Sequence, residues 1–208
     1  NGTEIANSNS NPYSFSVTSE SENENEAAVN NLYAVFKKLP IFWFRATATV
    51  TPAGAGTAST SPTTTSTRGA HWNSTSATAT SKYSASANSN YHFMGWSSTS
   101  DGSIVSTDNP YIATITSTST TQNSPTITTY YARFQPYPTS ITATPATIIL
   151  GSGDTSDPID VTVSPEDAWK NLIFISNNSN IATVDANGAV TAGNVAETTT
   201  ITIQAVKD

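Results

Sequence analysis

The chain has 208 residues, with fifteen acidic against eight basic side chains, a net charge of -7 and no cysteine. That length admits one moderate core or two small ones. The acidic balance leaves no basic footprint for a phosphate backbone and excludes nucleic acid as a partner, while the lack of Cys removes disulfide frameworks, thiolate metal sites and Cys nucleophiles. Charged residues make up only 11% of the chain and Ser and Thr together number 65, so the surface is solvated by hydroxyls and amides. The one dense apolar run, residues 39–44, is interrupted by Pro40 and falls far short of the ~20 residues of a membrane span. With no initiator Met and no signal segment at its start, the chain reads as a processed or excised piece of a longer polypeptide.

Taken in order, the predicted elements are strands. Two, at 13–19 and 29–37, form a hairpin whose apolar face carries Leu32, Ala34 and Phe36. An isolated hairpin is marginal in water, so it must lean on residues 1–10 as an extra strand, on the edge of a neighbouring molecule or, as favoured here, on the apolar residues Ile41, Phe42, Trp43 and Phe44, with Trp43 or Phe44 against Phe36 or Leu32. Ala46, Ala48 and Val50 then alternate with threonines, and Ala77, Ala79, Tyr83, Ala85 and Ala87 occupy every second position of another run, the period of a half-buried strand. The same alternation returns at Ile159, Val161 and Val163 and at Ile201, Ile203 and Ala205. Only 165–170 has helical character, one turn at most. The fold class that follows is all-β.

An internal repeat appears when the chain slides along itself by about 98 residues. Asn11, Pro12 and Tyr13 fall on Asn109, Pro110 and Tyr111, and Tyr33, Ala34 and Phe36 fall on Tyr131, Ala132 and Phe134, with ten of 26 positions identical without a gap. The aromatic and Pro identities exceed what shared Ser/Thr richness supplies. Three regions result: 1–38, the second half of a repeat; 41–135, a complete repeat; and 139–208. The last is joined through the stiff stretch Pro136, Tyr137, Pro138.

In the middle region Tyr91, His92, Phe93, Met94, Gly95 and Trp96 follow an alternating strand, and Tyr131, Ala132, Arg133 and Phe134 close the unit after the Asn109-Pro110 turn. This pattern resembles the divergent internalin B-repeat family, also called the Listeria and Bacteroides repeat, over nearly all of 46–134. It departs from that pattern by an insertion at 59–75 and by Asn90 in place of the usual Gly. The last region carries Ile141, Pro145, Gly153, Asp154, Val161, Val163 and Pro165, then Ile181-Ala-Thr-Val-Asp185 and Gly188 before Val190, Thr191 and Ala192. It resembles the group 2 bacterial immunoglobulin-like domain over 139–205, with Phe174-Ile175 where the family often has Trp. The resemblances imply tandem small β modules followed by an Ig-like β-sandwich. Phe93, Trp96, Ala132 and Phe134 would be buried together in the first of these. Val161, Val163, Phe174, Val184, Val190, Ile201 and Ile203 would face inward in the second, with Gly188 in a positive-φ turn.

Residues with chemical potential are few. Two His in a chain without Cys cannot make a three-ligand zinc site unaided, no Gly-x-Ser-x-Gly elbow holds a nucleophile, and the acids are scattered over turns or gathered in Glu20, Glu22, Glu24 and Glu26 rather than paired across a cleft. Asp154, Asp157 and Asp160 form a loose acidic loop without the Gly and distal Glu of a calcium loop. No catalytic residue, cofactor or metal is expected. The candidates for ligand contact are Trp72, His71 and Tyr137, with Trp43 as a further aromatic face that could stack on a sugar ring; for all of them the alternative is core or linker packing.

The resulting expectation is a non-enzymatic modular segment of a secreted or cell-surface bacterial protein, serving adhesion or acting as a spacer (stalk). Its partners would be a protein or glycan on a surface and further domains of the same polypeptide. The alternative is a glycan-binding or accessory module of a larger polysaccharide-processing enzyme.

Overall fold

The computed structural model describes residues 36–207. Contacts divide the chain into two units, Asn1–Lys38 and Leu39–Asp208. The first copy of the repeat and nearly all of its hairpin lie outside the described residues; of that hairpin's apolar face only Phe36 is described, and it is 94% exposed.

The Leu39–Asp208 unit is all-β: fourteen strands and no helix occur among the described residues. A five-stranded sheet is formed by β3 (Thr64–Arg68), β1 (Ile41–Thr51), β8 (Thr126–Pro136), β5 (Tyr91–Ser97) and β6 (Ile104–Ser106), in that spatial order. A second sheet holds β2 (Gly56–Ser61), β4 (Ala77–Ala87) and β7 (Tyr111–Ser117). All pairings in these sheets are antiparallel except β1 with β8, which the intervening strands connect as a long crossover. A first core lies between the sheets. Phe42, Phe44 and Ala46 of β1, Ala132 and Phe134 of β8 and Trp96 of β5 meet Tyr83 of β4 and Ala113 and Ile115 of β7. Of the four residues expected to be buried together, Trp96, Ala132 and Phe134 are, while Phe93 is only partly buried and packs edge-on against Phe134 at 5.5 Å and Trp96 at 5.7 Å.

The expected packing of Ile41 to Phe44 on the preceding hairpin falls largely on residues outside the described ones, but the place of these four residues in their own unit is described. They begin β1, and its period of two carries Phe42 and Phe44, each 1% exposed, into this unit's own core. Leu32, the other expected contact, lies outside the described residues. The insertion at 59–75 supplies the end of β2 and all of β3, which pairs with β1 from Ile41↔Arg68 to Arg45↔Thr64. A strand of three threonines, a serine and an arginine suits that edge position because its outward polar side chains are solvated, leaving no apolar edge for another chain to pair with.

The element Phe93-Met94-Gly95-Trp96 owes its geometry to a bulge. Phe93 pairs with Phe134, but Gly95, at φ 132°, pairs with Arg133 and Trp96 with Ala132. The extra residue shifts the alternation, so Trp96 rather than residue 95 follows Phe93 into the core. A Cβ on Gly95 would sit 2.5 Å from the Ser106 carbonyl oxygen, so only glycine lets β6 approach. Three buried polar groups of this core are satisfied: the Trp96 indole N–H donates to the Asp108 carbonyl (3.1 Å), the Ser81 hydroxyl to the Pro62 carbonyl (2.9 Å) and the Ser117 hydroxyl to the Trp43 carbonyl (2.8 Å).

Residues 139–207 form three antiparallel two-stranded ladders: β9 (Ser140–Thr144) with β10 (Asp160–Ser164), β11 (Leu172–Ser176) with β14 (Ile201–Ala205), and β12 (Ala182–Val184) with β13 (Val190–Ala192). A second, separate core gathers Ile159, Ala182 and Val190, with Val161, Phe174, Val184, Ile201 and Ile203 partly buried around it. Val163 is buried as well. Gly188 has the expected positive φ, 88°, in a turn whose Asp185 carboxylate accepts the Asn187 and Ala189 N–H groups at 2.8 and 2.9 Å. Residues 165–170 make a turn closed by Ala168 N–H to the Pro165 carbonyl (3.0 Å), not a helix. One turn between a strand and an extended segment gains too few hydrogen bonds to propagate.

Candidate functional site

The residues singled out for ligand contact sit on different elements. His71 and Trp72 occupy the turn between β3 and β4, where the His71 N–H donates to the Ser74 hydroxyl (2.9 Å) and the Ser74 N–H returns to the His71 carbonyl (3.1 Å). Trp72 is 49% exposed, which leaves part of its indole open to solvent. Trp43 is half-buried on β1 beside Ser66 of β3. Tyr137 is elsewhere and only 8% exposed, so its ring is engaged within the protein rather than presented as a flat platform.

What Tyr137 engages is an aromatic junction between the two cores. The linker leaves β8 at Pro136 and enters β9 at Ser140. Along it, the Tyr137 N–H donates to the Asn90 carbonyl of the first core (2.9 Å), and the Thr139 N–H donates to the Ser164 carbonyl of the second (2.7 Å). From the turn after β10, the Trp169 N–H donates back to the Pro136 carbonyl (2.8 Å). Its indole lies flat on the imidazole of His92, with ring centroids 4.0 Å apart and planes 9° from parallel. The Tyr137 ring stands edge-on to the same imidazole at 6.5 Å, and the Lys207 ammonium lies over the Tyr137 ring at 5.1 Å from its centroid. The Trp169 indole N–H is buried without a hydrogen-bond partner among the described residues. Sequence reasoning placed His92 away from the core face but missed Trp169. The available signal was a lone Trp in an otherwise polar turn, Pro165-Glu-Asp-Ala-Trp-Lys170, which needs an apolar partner.

A second aromatic group joins the two sheets of the first core. Tyr83 meets Tyr130 at 4.9 Å and Tyr111 meets Tyr130 at 5.3 Å, both near-perpendicular, and the Tyr83 hydroxyl donates to the Thr128 carbonyl (3.3 Å). Burial, with the neighbouring phenols of Tyr130 and Tyr111 adding to it, pushes the Tyr83 hydroxyl up to about 12. Burial and its hydrogen bond with Tyr111 also raise Tyr130. Both therefore keep their protons at neutral pH and act as hydrogen-bonding core residues, not as bases or nucleophiles.

In the second core a cavity of about 770 Å³ opens between residues 146–150 and 195–203, floored by Ile148, Leu150, Ile159, Val190, Ile201 and Ile203 and rimmed by Ser152, Asn194 and Glu197. Its lining is aliphatic and hydroxylic, able to exclude water from an apolar group but without a cluster suited to proton transfer. Asp154 is used locally, its carboxylate accepting the Gly151 N–H at 3.2 Å. Among the described residues no three His, Asp or Glu side chains are grouped to hold a metal ion, and no helix is long and apolar enough to cross a membrane. No family model, curated protein or solved structure matches the chain.

Proposed function

We propose that the chain is a non-enzymatic segment of a secreted or cell-surface bacterial protein, in which B-repeat-like and Ig-like modules act as a spacer that sets the distance between flanking parts of the polypeptide and the surface. One observation carries the reading: two β cores, each with its own ladders, follow one another through a three-residue Pro-Tyr-Pro linker that is hydrogen-bonded on both sides. A serial arrangement of small cores with short stiff connections converts chain length into reach. The residue patterns of 46–134 and 139–205, which resemble modules of bacterial surface proteins, support the same reading, as does a surface rich in hydroxyls and poor in charge. The test is replacement in the parent protein. An unrelated rigid β segment of equal length in place of 39–208 preserves surface display and function, and a segment of half the length impairs them. A requirement for the native sequence at constant length sinks the spacer reading.

The partly exposed indole of Trp72, beside His71, favours a second reading, a glycan contact on this turn. Aromatic faces stack on the apolar faces of sugar rings. Glycan-array screening of the chain decides it: a specific hit lost in Trp72→Ala establishes binding, and a blank array removes it.

A further inference from the structure

The junction between the two cores is more tightly built than a linker needs to be. Pro136 and Pro138 each have a fixed φ, and each restricts the residue before it, so Gln135, Pro136, Tyr137 and Pro138 retain few soft dihedrals. Hydrogen bonds tie this stretch to both sides: Tyr137 to Asn90, Thr139 to Ser164, and Trp169 back to Pro136. The side chains then close over it. Trp169 from the second core lies flat on His92 from the first at 4.0 Å, and Lys207, two residues beyond β14, covers the Tyr137 ring. Bending at the linker would break the Trp169–Pro136 hydrogen bond, part the stacked rings and expose a tyrosine that is now 8% accessible. Each loss opposes the motion, and all three occur together because the groups share one linker.

We propose that the His92–Trp169 stack, seated on the Tyr137 linker, is a rigid coupling that holds the first and second cores at one fixed angle, so that residues 39–207 tumble and unfold as a single body. Trp169 is thus an interface residue whose partner is the preceding core, and the turn at 165–170 presents it. For its purpose the coupling rests on the spacer reading: a stalk with a stiff joint transmits orientation as well as distance.

The two proposals fail separately. A flexible joint would still leave a flexible spacer, whereas failure of the length-matched replacement would say nothing about the joint. Backbone ¹⁵N relaxation on the full chain reads the coupling directly, because residues of the two cores report one rotational correlation time if they move together and two if they do not. The wild type is expected to give a single time and one thermal transition. His92→Ala and Trp169→Ala are each expected to give two distinct times and separated transitions. His92→Ala removes the stack without touching the second core, which covers the possibility that Trp169→Ala loosens its own turn. Trp169→Phe keeps a flat face against His92 and removes the unpartnered indole N–H, so it retains single-body tumbling. Two correlation times in the wild type, a single one in either alanine variant, or loss of coupling in Trp169→Phe would overturn the assignment.

Discussion

Phe42, Phe44, Tyr83, Trp96 and Phe134 fill the first core, whereas the second closes on Ile159, Ala182 and Val190 with Phe174 as its main ring. The difference follows from strand length. β1, β4 and β8 each run eleven residues, long enough for successive inward positions to stack several rings between two sheets, edge to face at 5 to 6 Å. The ladders of the second core are three to five residues long and offer one or two inward positions each, which aliphatic side chains and turn residues fill. A Ser/Thr-rich chain thus reaches stability by two routes: a few large aromatics between extended sheets, or many tight turns around small residues.

Truncation separates the routes most sharply. Trp96→Ala removes a fully buried ring that touches Tyr83 and Phe93 and leaves the Asp108 carbonyl without its donor. It is expected to lower unfolding free energy by about 3–5 kcal/mol in urea titration, as ring removals from packed cores do. A cost below about 1 kcal/mol would show that the aromatic core does not carry the first region.

Alkaline pH probes the same core without mutation. The Tyr83 hydroxyl is raised from 10.0 to about 12, so between those values the unfolded chain gives up this proton while the folded chain holds it. The contribution is fully present below pH 10 and is lost as pH rises through 12. Absorbance titration of tyrosine ionisation should show a late-titrating group that is absent in Tyr83→Phe.

In the second core Val190→Ala deletes two methyl groups beside an open cavity. Because that site already adjoins empty space, only the transfer cost of the lost groups is expected, about 1.5 kcal/mol by denaturant unfolding. A loss as large as that of Trp96→Ala would erase the contrast between the cores. The smallest effect belongs to the surface of the first region: Trp72→Ala is expected to stay within about 0.5 kcal/mol of wild type, and a larger loss would place the indole in packing instead of at a binding face.

Much of the strand pattern was legible because alternation is a local property. Ala46, Ala48 and Val50, Ala77, Ala79, Tyr83 and Ala85, and the closing Ala132 and Phe134 all face the first core as their period requires. Gly188 was legible for a related reason, since Asp-Ala-Asn-Gly encodes a turn with positive φ in four consecutive residues. The ends of elements and their partners were harder. Nothing local separates residues 41–44 from β1 or tells them which apolar surface to seek, so a linker packed on a hairpin and the first half of an eleven-residue strand read alike.

By itself the sequence determined the all-β class, the inward faces and the position of the Pro-Tyr-Pro connection, because each depends on residue type at short separation. Only the tertiary structure decided that β1 runs parallel to β8, that threonines of the insertion form an edge strand, that a bulge at Gly95 turns Trp96 inward, and that Trp169 crosses the connection to lie on His92. Those outcomes depend on pairings between residues far apart along the chain. Many partners satisfy the same local pattern, and the choice among them is made by packing and backbone hydrogen bonding when the chain closes on itself.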